Sequence, residues 1–156
     1  MSLNNEKFIR RAIEIAQNSV DHGNHPFGAL LVNNHGEVLL EAENSVVTES
    51  DCTAHAELNL IRAASKQFSP DQLAAYTLYT STEPCPMCAG AIFWGNVRRV
   101  VFGLSEEGLY GIVDKDSEEI LYLPCRDVFK KGQKPIEVVG PVLEDEALQV
   151  HLGFWD

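Results

Sequence analysis

Two short clusters in this chain hold residues of the kinds that bind a metal ion and move protons. The first is "DCTAHAEL", residues 51–58, where His55 and Glu57 stand two apart. The second is "STEPCPMC", residues 81–88, where Cys85 and Cys88 lie three positions apart and Cys85 follows a proline. Such a cysteine pair fits a disulfide, a redox couple, half of a structural metal knuckle or half of a catalytic metal site. The surrounding residues have to choose among these.

His55, Cys85 and Cys88 together make a set of borderline-to-soft ligands suited to Zn²⁺, one ion per chain. In the first turn of a helix, residues three apart face the same way, so Cys85 and Cys88 can grip one ion. Both clusters sit where helices are expected to begin, and a positive helix end favours thiolate over thiol. Three ligands leave a tetrahedral site one short, with room for water. Zinc draws the pKa of such a water towards about 7, giving hydroxide at neutral pH. Glu57 stands beside a ligand and is not needed as one, which suits it to shuttle protons. This equipment serves hydrolytic attack on an electron-poor carbon; on an amidine-like ring carbon, the leaving group is ammonia. A closed knuckle is the competing reading. Cys52, three before His55, would complete a Cys₃His set in a non-catalytic zinc module, but that leaves Glu57 without a role. A thioredoxin-like pair has no use for His55 or Glu57. Cys52 and Cys125 are otherwise read as free thiols, and His22, His25, His35 and His151 as surface or loop histidines.

The bulk of the sequence agrees with a small enzyme. Its 156 residues are expected to form a single domain over 1–156, with ordinary apolar (45%) and charged (22%) fractions. No apolar run approaches the roughly 20 residues of a membrane span. The N-terminal stretch lacks a basic start followed by a solid apolar segment, so a cytoplasmic location is expected, where a disulfide framework is disfavoured. Acidic residues outnumber basic ones 23 to 12, for a net charge of −11. A phosphate backbone is repelled by such a surface, although Arg10-Arg11, Arg98-Arg99 and Lys130-Lys131 hint at local basic patches. Nucleic acid is a disfavoured partner.

The elements that must position the clusters can be read from periodicity. Residues 6–20 carry apolar side chains at helical spacing and stop at Gly23. "FGALLVNN" and "EVLLEAEN" read as a hairpin around "NNHGE". "AHAELNLIRAAS" reads as a second helix with Leu58, Ile61 and Arg62 on successive turns. "YTLYTS" is a strand, "PMCAGAIFWG" a short helix begun by Pro86, and "VRRVVFGL" a strand. "PIEVVG" is a fifth strand and "LEDEALQVHLGFW" a closing helix. The order implies an α/β domain with helices packed on a mixed sheet. Residues 105–134 give no clear pattern.

"TAHAE" followed by "EPCPMC" resembles the zinc-dependent cytidine deaminase superfamily of nucleoside and nucleobase deaminases, whose H-x-E…P-C-x-x-C signature carries these roles. The resemblance runs over roughly residues 5–104. It implies a three-layer α/β/α fold with a mixed five-stranded sheet, and metal ligands at His55, Cys85 and Cys88 with Glu57 as catalytic proton carrier. It further implies that Phe27 and Trp94 line the substrate pocket and that Asn44, with the Ala56 backbone, orients the ring. Within the superfamily "HPFGALLV", "NSVVT" and the Trp in the cysteine helix are most similar to bacterial guanine deaminases. Guanine deamination is therefore the first expectation. Guanine-acting members use a further acid after the fourth strand, for which Asp114 is the candidate and Asp116 the alternative. tRNA adenosine deaminases share "EPCPMCAGA", but carry a basic C-terminal helix where this chain is acidic and apolar. Fungal-type cytosine deaminases end in an aromatic-rich segment resembled by "GFW". The partners implied are a small-molecule nucleobase and a second copy of the chain in a homodimer.

Overall fold

Residues 3–156 are described by a computed structural model. Helix α1 (Asn5–Asp21) is begun by Asn4, whose side chain accepts the Lys7 N–H at 3.1 Å. It buries Phe8, Ile9, Ala12, Ile15 and Ala16 along one face and ends before Gly23, which takes φ +93°. Strands β1 (Gly28–Val32) and β2 (Val38–Glu43) form the expected antiparallel hairpin. In its turn the Asn33 side chain accepts the N–H groups of both His35 and Glu37.

The remaining elements follow as α2 (Val46–Glu49), α3 (Ala56–Gln67), α4 (Pro70–Ala74), β3 (Thr77–Thr82), α5 (Pro86–Trp94), β4 (Arg99–Leu104), α6 (Glu106–Tyr110), α7 (Cys125–Lys130), β5 (Glu137–Val139) and α8 (Glu144–Gln149). The sheet runs in the order β2-β1-β3-β4-β5. Its first two pairings are antiparallel and its last two parallel, so it is mixed and five-stranded. Every residue of β1 and β3 is buried, because helices cover both faces. Alternation sorts the strand side chains. Ala29, Leu31, Leu78, Val100 and Phe102 pack with α3, α5 and α7, whereas Leu30, Val32, Tyr79 and Val101 pack with α1. This is the three-layer α/β/α architecture.

Three expectations are corrected. Helix α3 turns Leu60, Ile61 and Ala64 inward, while Arg62 is exposed and Leu58 only half-buried, so its apolar face is rotated from the one read in the sequence. The closing helix is short: it ends at Gln149, and Phe154 and Trp155 follow Gly153, whose φ of +78° is incompatible with helix. His151 is no surface residue; it is 1% exposed. Residues 105–134, unread in the sequence, hold α6 and α7 with an irregular stretch between them. Among the described residues no helix is long and apolar enough to cross a membrane.

Candidate active site

His55 and Cys85 hold equivalent places: each is the N-cap of its helix, α3 and α5, in extended conformation, and neither side chain caps its own helix. Both point instead to a common place. His55 Nδ1 lies 3.5 Å from the Cys85 sulfur and 3.6 Å from that of Cys88. The three ligand atoms all lie within 4.8 Å of one another. A tetrahedral ion with bonds of about 2.1 Å to nitrogen and 2.3 Å to sulfur sets nitrogen and sulfur about 3.6 Å apart. The set fits zinc. Pro86 opens α5 at the position where its missing N–H costs nothing, which delivers Cys85 and Cys88 from one turn. Cys52 does not join the cluster, so the complete Cys₃His knuckle is not formed.

The electrostatics are those of a cation site. The Cys85 thiol is lowered, chiefly by a hydrogen bond from Cys88 and then by His55. The Cys88 thiol is raised by the same shared proton and by its burial. One thiolate and one thiol thus face His55, and a bound cation holds both sulfurs as thiolates. Glu57 is 5% exposed, and burial, followed by the charge of Cys85, raises its carboxyl to about 7.

These groups form one wall of a pocket of about 420 Å³, ample for a small heterocycle. Phe27, His25 and Trp155 make an aromatic wall: Phe27 meets the His151 ring edge-on at 5.3 Å, and His25 lies 5.7 Å from Trp155. Five acidic residues line the cavity, Glu57, Glu83, Glu106, Asp114 and Glu119, and neither lysine nor arginine does. A separate hollow of about 500 Å³, lined by Arg126, Lys130 and Lys134 among others, shares no residue with it.

The structure thus brings His55, Cys85, Glu57, Phe27 and Asp114 to one cavity, while Cys88, the third member of the ligand cluster, is buried and outside the lining. Asp116 does not line it. Trp94 is a correction. At the last turn of α5 the residue is 79% exposed, because the helix turns Cys88, Ala89 and Ile92 inward and leaves Trp94 outside. Asn44 is buried but lies outside the lining; its side chain accepts the Val46 N–H at 3.1 Å and so starts α2. Ala56 is buried at the first position of α3, outside the lining, with a backbone N–H that helix geometry leaves free.

Sequence reading missed His25, Glu83, Glu106 and Trp155. Glu83 closes β3, giving its N–H to the Leu104 carbonyl at 2.7 Å. Its carboxylate accepts the N–H groups of Glu106 and Cys125, both at 2.9 Å, and so ties α6 and α7 to the end of β3, two residues before Cys85. An acid two residues before a ligand was the available signal.

The family model for the cytidine and deoxycytidylate deaminase zinc-binding region matches residues 2–104. A "probable cytosine deaminase" of Schizosaccharomyces pombe is 45% identical over 96% of this chain and 91% of its own. The guanine deaminase of Bacillus subtilis is 40% identical over 75% of this chain and 81% of its own. A tRNA-specific adenosine deaminase of the same bacterium is 42% identical, over 90% and 82%. The solved guanine deaminase of Nitrosomonas europaea superposes with a TM-score of 0.80 at 23% identity, covering 96% of this chain and 84% of its own, which supports the fold.

Proposed function

This chain belongs to the zinc-binding cytidine and deoxycytidylate deaminase family, and we propose that it hydrolyses the exocyclic amino group from a free nucleobase, cytosine ahead of guanine. The observation that carries this reading is the convergence of His55, Cys85 and Cys88 on one place, with His55, Cys85 and a buried Glu57 lining one pocket. When bound, the ion supplies Lewis acidity that activates water for attack.

The chain's own groups do the rest. His55, Cys85 and Cys88 would hold the ion, a three-ligand set of the kind that leaves room for water. Glu57 takes the proton of the attacking water and returns it to the departing amine as the new carbon–oxygen bond forms and the carbon–nitrogen bond breaks. The products are the oxo base and ammonia. The aromatic wall of Phe27, His25 and Trp155 holds the ring and keeps bulk water out.

Two observations move cytosine ahead of guanine, which the motifs alone favour. Trp155, near the C-terminus, lines the pocket. The likeness to the S. pombe probable cytosine deaminase covers 96% of the chain, against 75% for the B. subtilis guanine deaminase. The cavity has room for either base, and Asp114 on its wall keeps guanine as the second reading. A tRNA substrate is disfavoured by a cavity lined by acidic residues, with neither lysine nor arginine among them to meet a phosphate. The test is ammonia release by zinc-loaded protein offered cytosine, guanine, adenine and their nucleosides. Release from a free base supports the proposal; release from none overturns it.

A further inference from the structure

Glu106 opens α6 directly after β4 and lines the same cavity as His55, Glu57 and Cys85. It is 2% exposed. One carboxyl oxygen, Oε2, accepts the Leu123 N–H at 3.1 Å. The other, Oε1, has no hydrogen-bond partner, and among the described residues it is the sole buried side-chain nitrogen or oxygen in that condition. Buried polar atoms are nearly always paired, so an orphan oxygen on a residue that lines a cavity marks a place for a ligand's polar atom.

The neighbours define what that atom meets. Among the described residues no Lys, Arg or His forms an ion pair with Glu106. The acid that acts on it is Glu83, whose two oxygens are taken by the N–H groups of Glu106 itself and Cys125. Burial, and then the charge of Glu83, push the Glu106 carboxyl up to about 8, so it is a neutral acid at pH 7. A neutral carboxyl group offers an O–H donor and a carbonyl acceptor side by side.

We propose that Glu106 reads the edge of a free base that carries the unsubstituted glycosidic nitrogen, and so separates free bases from nucleosides. In cytosine that edge is the ring N1–H beside the C2 carbonyl; in guanine it is N9–H beside N3. Each matches a carboxyl group donor for acceptor. In a nucleoside the sugar replaces that N–H, leaving Glu106 unpaired and crowded. Glu106 therefore gives selectivity to the pocket, whereas His55, Cys85, Cys88 and Glu57 serve the reacting carbon. This inference rests on the reading of the chain as a free-base deaminase.

The experiment is calorimetric titration of zinc-loaded wild type, Glu106→Gln and Glu106→Leu with cytosine, 1-methylcytosine, guanine and 9-methylguanine, with ammonia release followed in parallel. Wild type is expected to bind the better free base at least about tenfold more tightly than its N-methyl analogue. Glu106→Gln, which keeps a donor and an acceptor, retains most of that ratio; Glu106→Leu brings it near one. Equal affinity of wild type for methylated and free bases overturns the proposal, even if Glu106→Leu fails to fold. So does an unchanged ratio in a folded Glu106→Leu, which would leave Glu106 only the task of holding Leu123. The two readings fail separately. Ammonia release with a flat binding pattern removes the role of Glu106 alone, and the expected binding pattern without ammonia removes the hydrolysis alone.

Discussion

The Trp155 indole N–H donates to Nδ1 of His151 over 3.1 Å, and His151 Nε2 lies 3.1 Å from the Thr82 hydroxyl. An accepting Nδ1 places the single ring proton on Nε2, so His151 is neutral and donates to Thr82. Thr82 ends β3, three residues before Cys85. The C-terminal aromatic wall is thereby tied to the strand that leads into Cys85 and Cys88.

That tie makes stability depend on pH. Burial lowers His151 from 6.5 to about 4. Between those values the unfolded chain binds a proton that the native state refuses, so stability is full above about 6.5 and falls as the pH drops towards 4. A difference of about 2.5 between the two values, at 1.36 kcal/mol each, gives a loss of about 3 kcal/mol. Urea unfolding at pH 7.5, 5.5 and 4.5 should show this decline, and His151→Phe should flatten it. Equal slopes in both proteins would remove His151 as the cause.

Trp155→Ala removes a wall of the pocket without touching a ligand. Bound zinc should stay at wild-type stoichiometry while KM for the preferred base rises about tenfold, as expected for loss of one aromatic stacking partner. Steady-state ammonia release together with metal analysis checks this; an unchanged KM would place Trp155 outside substrate contact.

Glu57→Gln keeps the shape of the side chain and removes its ability to take a proton. Turnover is expected to fall by about 10² to 10⁴ with zinc retained. Wild-type kcat in that variant would sink the proton-carrier role.

The three ligands should behave unlike Cys52. His55→Ala and Cys88→Ala are expected to lose stoichiometric zinc, and Cys52→Ala to keep it, because only the first two belong to the cluster. Zinc lost on mutation of Cys52 would restore the closed knuckle.

Two glycines give opposite stability forecasts. A Cβ at Gly28 would stand 2.5 Å from the Ala12 carbonyl oxygen and 2.6 Å from the Ala16 nitrogen, both backbone. Gly28→Ala must therefore force β1 and α1 apart, costing about 3 kcal/mol. At Gly90, inside α5, a Cβ meets nothing within 4 Å, and Gly90→Ala should stabilise by about 0.5–1 kcal/mol. Guanidinium unfolding midpoints measure both, and a shared sign would contradict the packing described.

The metal ligands were legible because helix starts and ligand spacing are local: Cys85, Pro86 and Cys88 announce both the turn and the ion they can hold. The strands were legible as short apolar runs such as "FGALLV" bounded by turn residues, the pattern of a strand buried on both faces. Glu106 and Glu83 were not, since their partners are backbone N–H groups 17 to 42 residues away and no sequence period records them. Trp94 was misplaced for a related reason. Position on a helix that carries ligands does not say which way its last turn faces, and here neighbouring Ile92 took the inward place.

The sheet also divides what the molecule can tolerate. Behind it, Phe8, Ile9, Ala12, Leu30, Val32, Tyr79 and Val101 form a core that contains none of the ligands. In front, Ala56 and Ala89, the neighbours of His55 and Cys88, are themselves core residues. Mutational drift on the rear side can trade apolar volumes freely so long as the total is kept. On the front the same exchange moves a ligand, so ancestry should be recorded most faithfully there, and random libraries aimed at new substrates will lose fewest members if they leave those alanines alone.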